Sequence, residues 1–434
     1  MSGWTVADDT IFALSSGALP AGVAVVRLSG SAAADTLIGL AGRLPKPRRI
    51  SLAELHGRSG DLLDRALILW LPGPHTVTGE DMAELHLHGG RAVVAGVLAA
   101  LAARSGLRQA EAGEFTRRAF ANGRVDLAEA EGLADLLDAE TDAQRRQALR
   151  LVEGGLGKLI ARWQNGLLAL AAGVEAAIEF GEDEEDVPPL TAGQSDALAG
   201  LMGEIEEALA QPPAERLRDG LRIVLAGPVN AGKSSLINAL SGREVAITAP
   251  VEGTTRDLIE APVVLDGIPC ILIDAAGLRT TEDPIERIGV DRARGAMDRA
   301  DLILWLGEPA ECPATNRAIR IHARADLPGR ALIPSGADIA VSVVTGKGMT
   351  ELRSLIAEHA SRLLPAEDTV PLNLRHRHLL GNALDELRAG AGVGDPVLLA
   401  EHLRAARSAF DRITGRAGVE DMLDALFGRF CIGK

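Results

Sequence analysis

Residues 221–235 read LRIVLAGPVNAGKSS, an apolar run that leads into a glycine-rich loop with one lysine and two serines. The loop from Gly227 to Ser234 has the spacing G-x-x-x-x-G-K-S, and an apolar helical pattern follows it. In this setting the glycines allow backbone N–H groups to surround a phosphate, and the start of the helix adds a partial positive charge. The pattern predicts a phosphate-binding loop in a doubly wound α/β domain.

The polar positions of this loop have separate predicted roles. Lys233 is expected to reach the β- and γ-phosphates of a nucleotide, and the Ser234 hydroxyl is expected to ligate Mg²⁺. The alternative, a glycine-rich turn with an exposed lysine, is weaker because the chain has only five lysines. The other predicted nucleotide contacts in the loop are Asn230, Ala231, Gly232 and Ser235.

Two later segments are predicted to complete the phosphate end of the site. Thr255, in the run Gly253-Thr254-Thr255-Arg256-Asp257, is expected to reach the metal and the γ-phosphate. Asp274 follows an apolar strand and is expected to hold the metal through water, and the Gly277 amide is expected to contact the γ-phosphate. Taken singly, such residues are more often helix or turn caps. Their order after the phosphate-binding loop favours nucleotide hydrolysis.

Composition excludes several classes of protein. With 47% hydrophobic and 24% charged residues in 434, the chain is not largely disordered. Its longest apolar run, Ala92–Ala103, is shorter than the roughly 18 residues that a membrane span needs. The net charge of −15 argues against nonspecific coating of nucleic acid but not against a local basic groove. Three distant cysteines and an acidic N-terminus predict a cytoplasmic protein without a disulfide framework.

The chain divides into four predicted zones. Residues 1–120 mix strand-like runs with turns and predict an α+β domain, whereas residues 121–214 have helical periodicity. Residues 215–366 alternate strands with helices, and residues 367–434 are helical again. This order predicts a multidomain α/β protein in which a P-loop domain is inserted into a helical domain. The candidate parallel strands of the inserted domain are Leu221–Ala226, Ile268–Ile273, Leu302–Leu306 and Ala331–Ile333.

Short motifs outside the phosphate-binding loop match one known family. They are Val25-Val26-Arg27-Leu28-Ser29-Gly30, Pro72-Gly73-Pro74, Thr78-Gly79-Glu80-Asp81, His88-Gly89-Gly90, GEFTRRAF at 113–120, and the terminal Phe430-Cys431-Ile432-Gly433-Lys434. With the loop, they make the chain resemble the tRNA uridine 5-carboxymethylaminomethyl modification GTPases, the MnmE or TrmE family, over essentially its whole length. The resemblance implies a dimerising N-terminal domain that binds 5-formyl- or methylene-tetrahydrofolate, a helical domain and an inserted Ras-like G domain.

The resemblance also implies which residues bind the folate. The family's site falls on Arg27, Glu84 and Arg124, with the terminal Lys434 nearby. Arg124 departs from the family pattern, which commonly has lysine, so the charge is kept while the geometry of the donors changes. The family places Cys431 where it faces the folate, which implies a catalytic role. The alternative for this residue is a small buried thiol.

In the G domain the resemblance implies GTP hydrolysis that depends on K⁺ and on dimerisation of the G domains. Asn230 matches the family's K⁺ ligand, and backbone carbonyls of Ala249 and Val251, with Thr254, would complete the cage. A cation beside the phosphates offsets the charge that develops in the transition state. Glu286 matches the glutamate that orients the attacking water through a second water. Without the resemblance, it reads as a helix-surface residue.

One departure concerns recognition of guanine. The family motif Asn-Lys-x-Asp is assigned here to Ser335-Gly336-Ala337-Asp338, in which only Asp338 remains to accept hydrogen bonds from the base. The next base loop reads Ser342-Val343-Val344, and Ala275 replaces a threonine of the second switch. Loss of one or two polar base contacts costs on the order of 1–3 kcal/mol, so we expect weaker guanine affinity and poorer discrimination.

The leading interpretation is a GTPase that acts with MnmG, an FAD-binding partner that would also use NADH, on the wobble uridine of certain tRNAs. The altered base motif supports an alternative, a nucleotide-sensing dimeric scaffold with weak or no GTPase activity. A ribosome-assembly GTPase is the third candidate, and the folate-site residues argue against it. A basic tRNA surface could be built from Arg375, Arg377, Arg404, Arg407 and Arg412, and the alternative is that they are ordinary solvent-exposed helix charges.

Overall fold

The computed structural model describes residues 9–180, 190–242, 260–275, 295–330, 332–366, 368–417, 423 and 426–433. The chain forms two compact units. Unit 1 comprises Met1–Ala134, Leu151–Gln164 and Arg407–Lys434, and unit 2 comprises Asp135–Arg150 and Asn165–Ala406. The four domain boundaries drawn from the sequence remain predictions. The predicted site residues outside the described part of the chain are Ala249, Val251, Thr254, Thr255, Gly277, Glu286 and Lys434.

Unit 1 is built on a six-stranded sheet. Its elements are β1 (Thr10–Leu14), β2 (Ala21–Ser29), β3 (Ser51–His56), β4 (Leu62–Leu71), β5 (Met82–Gly89), β6 (Leu107–Gln109), α1 (Ala33–Ala41), α2 (Arg91–Ala102) and α3 (Glu114–Ala121). The strand order is β3-β4-β5-β2-β1-β6, and only the β1–β6 pair is parallel among these neighbours. Alternation along the strands turns Val26 and Leu28 toward Leu37 of α1 and Val97 of α2 in one buried core. The predicted α+β domain is confirmed.

A buried charge network fixes α3 to the chain around it. Arg118, with a side chain only 5% exposed, lies 2.7 Å from Asp9, 3.1 Å from Glu80 and 3.3 Å from Glu114. Burial alone would raise the pKa of Glu114, but hydrogen bonds, led by those from Arg108, outweigh burial and lower it. The pKa of Asp9 is lowered in the same way, against burial, by Arg108 and Arg118. The network therefore favours the ionised forms of Asp9 and Glu114.

Replacement of Arg118 by methionine is expected to destabilise the chain by about 2 kcal/mol, because it removes one of the two cations beside Asp9 and Glu114 and the ion-pair partner of Glu80. Both Asp9 and Glu114 have lowered pKa values in the folded chain. The network's contribution is therefore present above the unfolded pKa and is lost as the pH falls through the folded one. Urea unfolding at several pH values measures the effect. Arg65→Met, which breaks an exposed ion pair with Glu54, should cost about 0–1 kcal/mol. Equal losses in the two variants would contradict this interpretation.

Helices occupy much of the remaining chain. They are α4 (Leu127–Asp138), α5 (Asp142–Val152), α6 (Gly155–Phe180), α7 (Ala192–Ala210), α8 (Glu215–Arg218), α11 (Leu374–Ala391) and α12 (Pro396–Thr414). In unit 2, α7 packs on α11. Each of these two helices begins with a reciprocal side-chain cap, Thr191 with Gln194 and Asn373 with His376. These caps satisfy backbone N–H groups that the first helical turn leaves without partners, so the sequence itself fixes both starts.

The α/β layer of unit 2 has a doubly wound topology. Its elements are β7 (Leu221–Ala226), α9 (Lys233–Ser241), β8 (Glu260–Leu265), β9 (Ile268–Asp274), β10 (Leu302–Trp305), β11 (Ala318–Ala323), β12 (Ile339–Val341) and α10 (Met349–Ser361). The strand order is β12-β11-β10-β7-β9-β8, and all neighbours are parallel except β8 and β9. Helices α9 and α10 cover one face, and the segment that contains Met297 covers the other. The predicted inserted P-loop fold is confirmed.

One predicted strand of this layer is wrong. Leu332 and Ile333 lie outside the sheet, with 90% and 57% of their surface exposed. The sheet instead uses β11, which pairs with β10, and β12, which pairs with β11. Strand β11 reads AIRIHA, and its two basic residues hid it from a search for purely apolar runs. Near the edge of a sheet only alternate side chains need to be buried, so such a strand tolerates polar residues.

Candidate functional site

The phosphate-binding loop follows the central strand β7 directly. Gly227 and Gly232 have φ values of +143° and +99°, and Asn230 has +61°, so the loop turns back on itself at each of these positions. A Cβ on Gly227 would lie 3.0 Å from the backbone N of Gly307, which leaves no room for a side chain. Helix α9 begins at Lys233, which directs the N–H groups of its first turn into the loop. The predicted strand–loop–helix arrangement is present.

Lys233 is buried against this loop. Its surface is only 7% exposed, and its Nζ donates to the carbonyls of Gly227 at 3.1 Å and Pro228 at 3.0 Å. Burial lowers the pKa of Lys233, and the nearby carboxylate of Asp274 opposes that shift. The ammonium group is therefore held in the concave side of the loop, where an anionic phosphate would replace the carbonyls as its partner.

A pair of oxygen ligands lies beside the lysine. The Ser234 hydroxyl donates to Oδ2 of Asp274 at 2.6 Å, which brings the end of β9 to the start of α9. The other carboxylate oxygen, Oδ1, is buried and has no hydrogen-bond partner among the described residues. A buried carboxylate oxygen without a donor, next to a hydroxyl, fits a hard divalent cation such as Mg²⁺. The sequence prediction for these two residues is consistent with this geometry.

The loop forms one wall of a cavity of about 670 Å³. The cavity extends from the phosphate-binding loop to the carboxyl-terminal ends of β11 and β12, the edge of an open α/β sheet where ligands bind. The residues that line its far end are Arg324, Asp326, Leu327, Val343 and Val344. A volume of this size accommodates a nucleotide-sized ligand.

The prediction that Asp338 reads the base is wrong. Asp338 immediately precedes β12, at the amino-terminal edge of the sheet, where its carboxylate accepts hydrogen bonds from the backbone and side chain of Arg320. The segment after parallel strand β11 is instead Ala323-Arg324-Ala325-Asp326, and it lines the cavity. The sequence pattern assigned the preceding strand to residues 331–333 instead of β11, and the base motif was therefore assigned to residues 335–338. The sequence does contain a signal for the base-binding segment. It is a strand that is followed by a basic residue, Arg324, and two positions later by an aspartate, Asp326.

Asp326 is held as an acceptor by the second base loop. A hydrogen bond from the side chain of Ser342 is the largest cause of its lowered pKa, followed by one from its own backbone N–H. Ser342 is fully buried, and its hydroxyl also accepts from the backbone N of Thr345 at 3.1 Å. Val343 and Val344 then line the cavity, as the sequence predicted for this loop. The carboxylate is thus fixed between two loops that follow adjacent strands.

Arg324 lies between Asp326 at one end of the cavity and the phosphate-binding loop at the other. Its Nη1 donates to the carbonyl of Asn230 at 2.9 Å, and its Cγ lies 3.8 Å from the position of a Cβ on Gly232. The aliphatic part of the side chain therefore runs along the phosphate-binding loop. Arg324 has a φ of +59°, a conformation that costs a non-glycine residue energy and is kept where the surroundings enforce it. The sequence pattern did not predict this cation, because it assigned the base motif to residues 335–338.

Unit 1 brings together part of the predicted folate set. Arg27 forms an ion pair with Glu84 at 3.0 Å, and its guanidinium lies 6.0 Å from the ring centroid of Phe115. His86 Nε2 lies 3.2 Å from the other oxygen of Glu84, on the same strand β5. These groups occupy the face of the sheet opposite α1 and α2. The result is a half-buried carboxylate between two basic side chains.

The other two described residues of that set, Arg124 and Cys431, have different neighbours in unit 1. The side chain of Arg124 passes Gly79, whose Cβ position would be 3.2 Å from its Cγ. Cys431 is exposed and precedes Ile432, which pairs with Ala112. No described contact joins Arg124 or Cys431 to Arg27 and Glu84. The alternative of a buried thiol at Cys431 is wrong.

The predicted basic surface is partly committed to internal contacts. Arg377 donates to the carbonyls of Leu209 at 2.6 Å and Gln211 at 2.7 Å, so it ties α11 to the end of α7. Arg404 pairs with Glu401 on its own helix at 2.6 Å. These contacts favour the interpretation of Arg377 and Arg404 as structural and surface residues.

Among the described helices, none has the length and apolar character that a membrane-spanning helix requires.

Comparison with known proteins shows the family to which this chain is related. The family model described as MnmE helical domain matches residues 127–431, and GTP-binding protein TrmE N-terminus matches residues 10–124. A tRNA modification GTPase MnmE from Rhizorhabdus wittichii is 57% identical over 99% of this chain and 97% of its own length. Another from Sphingopyxis alaskensis is 56% identical over 94% of this chain and 100% of its own. The solved G domain of the FeoB iron transporter from T. maritima is 25% identical, covers 32% of this chain and 98% of its own, and has a TM-score of 0.25. The chain therefore belongs to the MnmE family of tRNA modification GTPases.

Proposed function

We propose that this chain binds and hydrolyses GTP as one component of a tRNA modification reaction in the cytoplasm. The observation that carries the proposal is the continuous cavity that joins the phosphate-binding loop to Arg324 and Asp326. One end of the cavity has cations and N–H groups that suit the phosphates of a guanine nucleotide. The other end has a fixed carboxylate that suits the base. Measurement of GTP turnover and of GDP binding by the purified chain tests it directly.

At the phosphate end, Lys233 is proposed to bind the β- and γ-phosphates, and Ser234 and Asp274 to hold Mg²⁺. The metal neutralises negative charge on the phosphates when it is bound. Asp274 fits this role because its buried Oδ1 has no donor among the described residues. Thr255, Gly277 and Glu286 remain proposals from the family resemblance.

At the base end, Asp326 is proposed to accept hydrogen bonds from N1–H and the 2-amino group of guanine. Adenine presents no such pair of donors, so this contact discriminates between the bases. Ala323 occupies the position of the asparagine in Asn-Lys-x-Asp and supplies no amide, whereas Arg324 keeps a cation at the position of the lysine. The scaffold alternative rested on loss of most of this motif at residues 335–338, and the presence of Arg324 and Asp326 in the cavity weakens it.

K⁺ dependence is proposed from the exposed loop residue Asn230, because its amide supplies an oxygen ligand beside the phosphates. Asn230→Ala is expected to raise the K⁺ concentration for half-maximal GTP turnover by about 10-fold, equivalent to loss of one polar contact of about 1–2 kcal/mol. Turnover measured against K⁺ at constant ionic strength checks this. Val229→Ala, at the exposed neighbouring position, should leave the K⁺ dependence unchanged. An unaltered K⁺ midpoint for Asn230→Ala would remove this residue from the cation site.

The chemistry on tRNA is proposed to involve a folate, an FAD-binding partner and dimerisation. Arg27 and Glu84 suit a polar heterocycle with both donors and acceptors, and tetrahydrofolate supplies the one-carbon unit when bound. FAD and NADH are assigned to the MnmG partner, and the target is the wobble uridine. Dimerisation is supported by the exposed apolar pair Leu52 and Leu67, which face each other on β3 and β4 with 65% and 42% of their surface exposed.

A further inference from the structure

Three side chains of α5 bind backbone carbonyls in the two chain segments that precede and follow the α/β layer of unit 2. Gln144, Gln147 and Arg150 recur every three residues, so they lie along one side of the helix. Each donates a hydrogen bond to a main-chain carbonyl. The pairs are Gln144 Nε2 to Arg218 O at 2.9 Å, Gln147 Nε2 to Ala214 O at 3.2 Å, and Arg150 Nη1 to Thr369 O at 3.0 Å. We call these three side chains the α5 clamp.

The acceptors belong to the two segments that connect the α/β layer to the helices. The incoming linker, residues 211–220, precedes β7, and the outgoing linker, residues 362–373, follows α10. The linkers are also bound to each other, because Ala214 N donates to Leu372 O at 3.0 Å. Leu374 N, at the start of α11, donates to the Glu215 carboxylate at 2.8 Å. The α5 clamp therefore holds both covalent connections of the layer at one place.

The incoming linker is attached in turn to the central strands. Arg216 forms an ion pair with Asp301 at 3.4 Å, and Asp301 accepts from Arg222 N at 2.9 Å. Arg222 lies near the start of β7, and Asp301 immediately precedes β10. The opposite end of β7 leads into the phosphate-binding loop. A continuous path of strand and polar contacts thus connects the nucleotide cavity with α5.

Beside the clamp, an open cleft of about 350 Å³ lies between α5 and two parts of the layer, the turn at Asp266 and Gly267 and the end of α10. Exposed residues such as Asp142 line this cleft, so close packing does not fix α5 against the layer on this side. The clamp thus provides directional contacts where tight packing does not.

We propose that the α5 clamp couples GTP hydrolysis to tRNA modification. The clamp makes α5 follow any displacement of the linkers that accompanies GTP hydrolysis, and α5 continues along the chain into unit 1 at Leu151. Gln144, Gln147 and Arg150 are positioning residues that contact neither nucleotide nor metal. This inference rests on the proposed GTPase function, and it adds the element by which hydrolysis has an effect elsewhere.

The test compares two activities in one variant. For the full chain with Gln147→Ala and Arg150→Ala, GTP turnover should stay within about 2-fold of the parent, while wobble-uridine modification falls about 10-fold, the range typical of a coupling free energy. Modification is measured by nucleoside mass spectrometry in a host strain whose own MnmE gene is deleted. Arg145→Ala, on the same helix and paired only with Asp142 in the bonds described here, is the matched control and should change neither. Arg150→Lys keeps a donor and should restore part of the modification.

A second measurement does not depend on nucleotide. In the double variant without nucleotide, backbone amides of residues 214–219, 368–370 and 372–374 should exchange hydrogen about 10-fold faster than in the parent. Unchanged exchange would overturn the clamp, even if the parent hydrolysed no GTP and the proposed function had failed. Proportional loss of GTP turnover and modification would also overturn it, because that result indicates general destabilisation. Unchanged modification with accelerated exchange would overturn the coupling role.

Discussion

Asp326→Asn is expected to change the preferred base from guanine to xanthine. The carboxylate offers two acceptors to N1–H and the 2-amino group of guanine, whereas the asparagine amide offers one acceptor and one donor. Xanthine has a carbonyl at C2, which accepts from that donor, and guanine would meet it with an amino group. Sites that hydrogen-bond a ligand reject a mismatched one strongly, so GDP affinity should fall on the order of 10³-fold while XDP affinity rises. Titration with fluorescent GDP and XDP analogues measures both.

Asp338→Asn provides the matched control for this change. It removes the same charge from the aspartate that the sequence pattern selected, but Asp338 is bound to Arg320 at the opposite edge of the sheet. We expect unchanged GDP and XDP affinities in this variant. If Asp338→Asn weakens GDP binding and Asp326→Asn does not, the placement of the base in the cavity is wrong. If neither variant changes binding, base recognition uses neither of these two carboxylates.

The fold could be predicted where local sequence rules were sufficient. The strand into the phosphate-binding loop is buried on both faces from Ile223 to Ala226, so these residues read as an apolar run that is easy to recognise. Strand β11 alternates apolar and basic residues, and its assignment depends on pairing with β10 and β12, which no local pattern contains. Leu332 and Ile333 are apolar and exposed, and they lie outside any strand. Composition alone could not separate these two cases.

Whether a site residue could be predicted also depended on whether its role follows from a local pattern or from a tertiary contact. Lys233, Ser234 and Asp274 could be predicted because the phosphate-binding loop has fixed spacing and the aspartate ends an apolar strand. Arg324 could not, because its role depends on contact with Asn230, 94 positions earlier in the chain. A contact of this kind is set by strand order in the sheet, and strand order follows from tertiary packing. The α5 clamp was missed for the same reason, since its acceptors are backbone carbonyls and have no sequence signature.

Lys233→Ala is expected to reduce GTP turnover on the order of 10²–10³-fold, because it removes a fixed cation from the place where charge develops on the phosphates. The same change should weaken binding of Mg²⁺-GTP more than binding of the guanine nucleoside, since the base contacts are left in place. Steady-state hydrolysis and equilibrium titration measure the two effects. Lys158→Ala, which removes an exposed lysine bonded to the carbonyl of Glu153 at 2.9 Å, is the control and should leave both unchanged.

A comparison of Lys233→Arg with Lys233→Ala separates the effect of the positive charge on turnover from the effect of side-chain shape. Lys233→Arg keeps the positive charge, but the planar guanidinium is larger than an ammonium and Lys233 is buried against two carbonyls of the loop. We therefore expect Lys233→Arg to lose turnover nearly as fully as Lys233→Ala, with unfolding temperatures of both variants near that of the parent. If Lys233→Arg retains turnover, charge alone at this position is sufficient. If Lys233→Ala hydrolyses GTP at the parent's rate, hydrolysis does not occur at this loop and the proposed function fails.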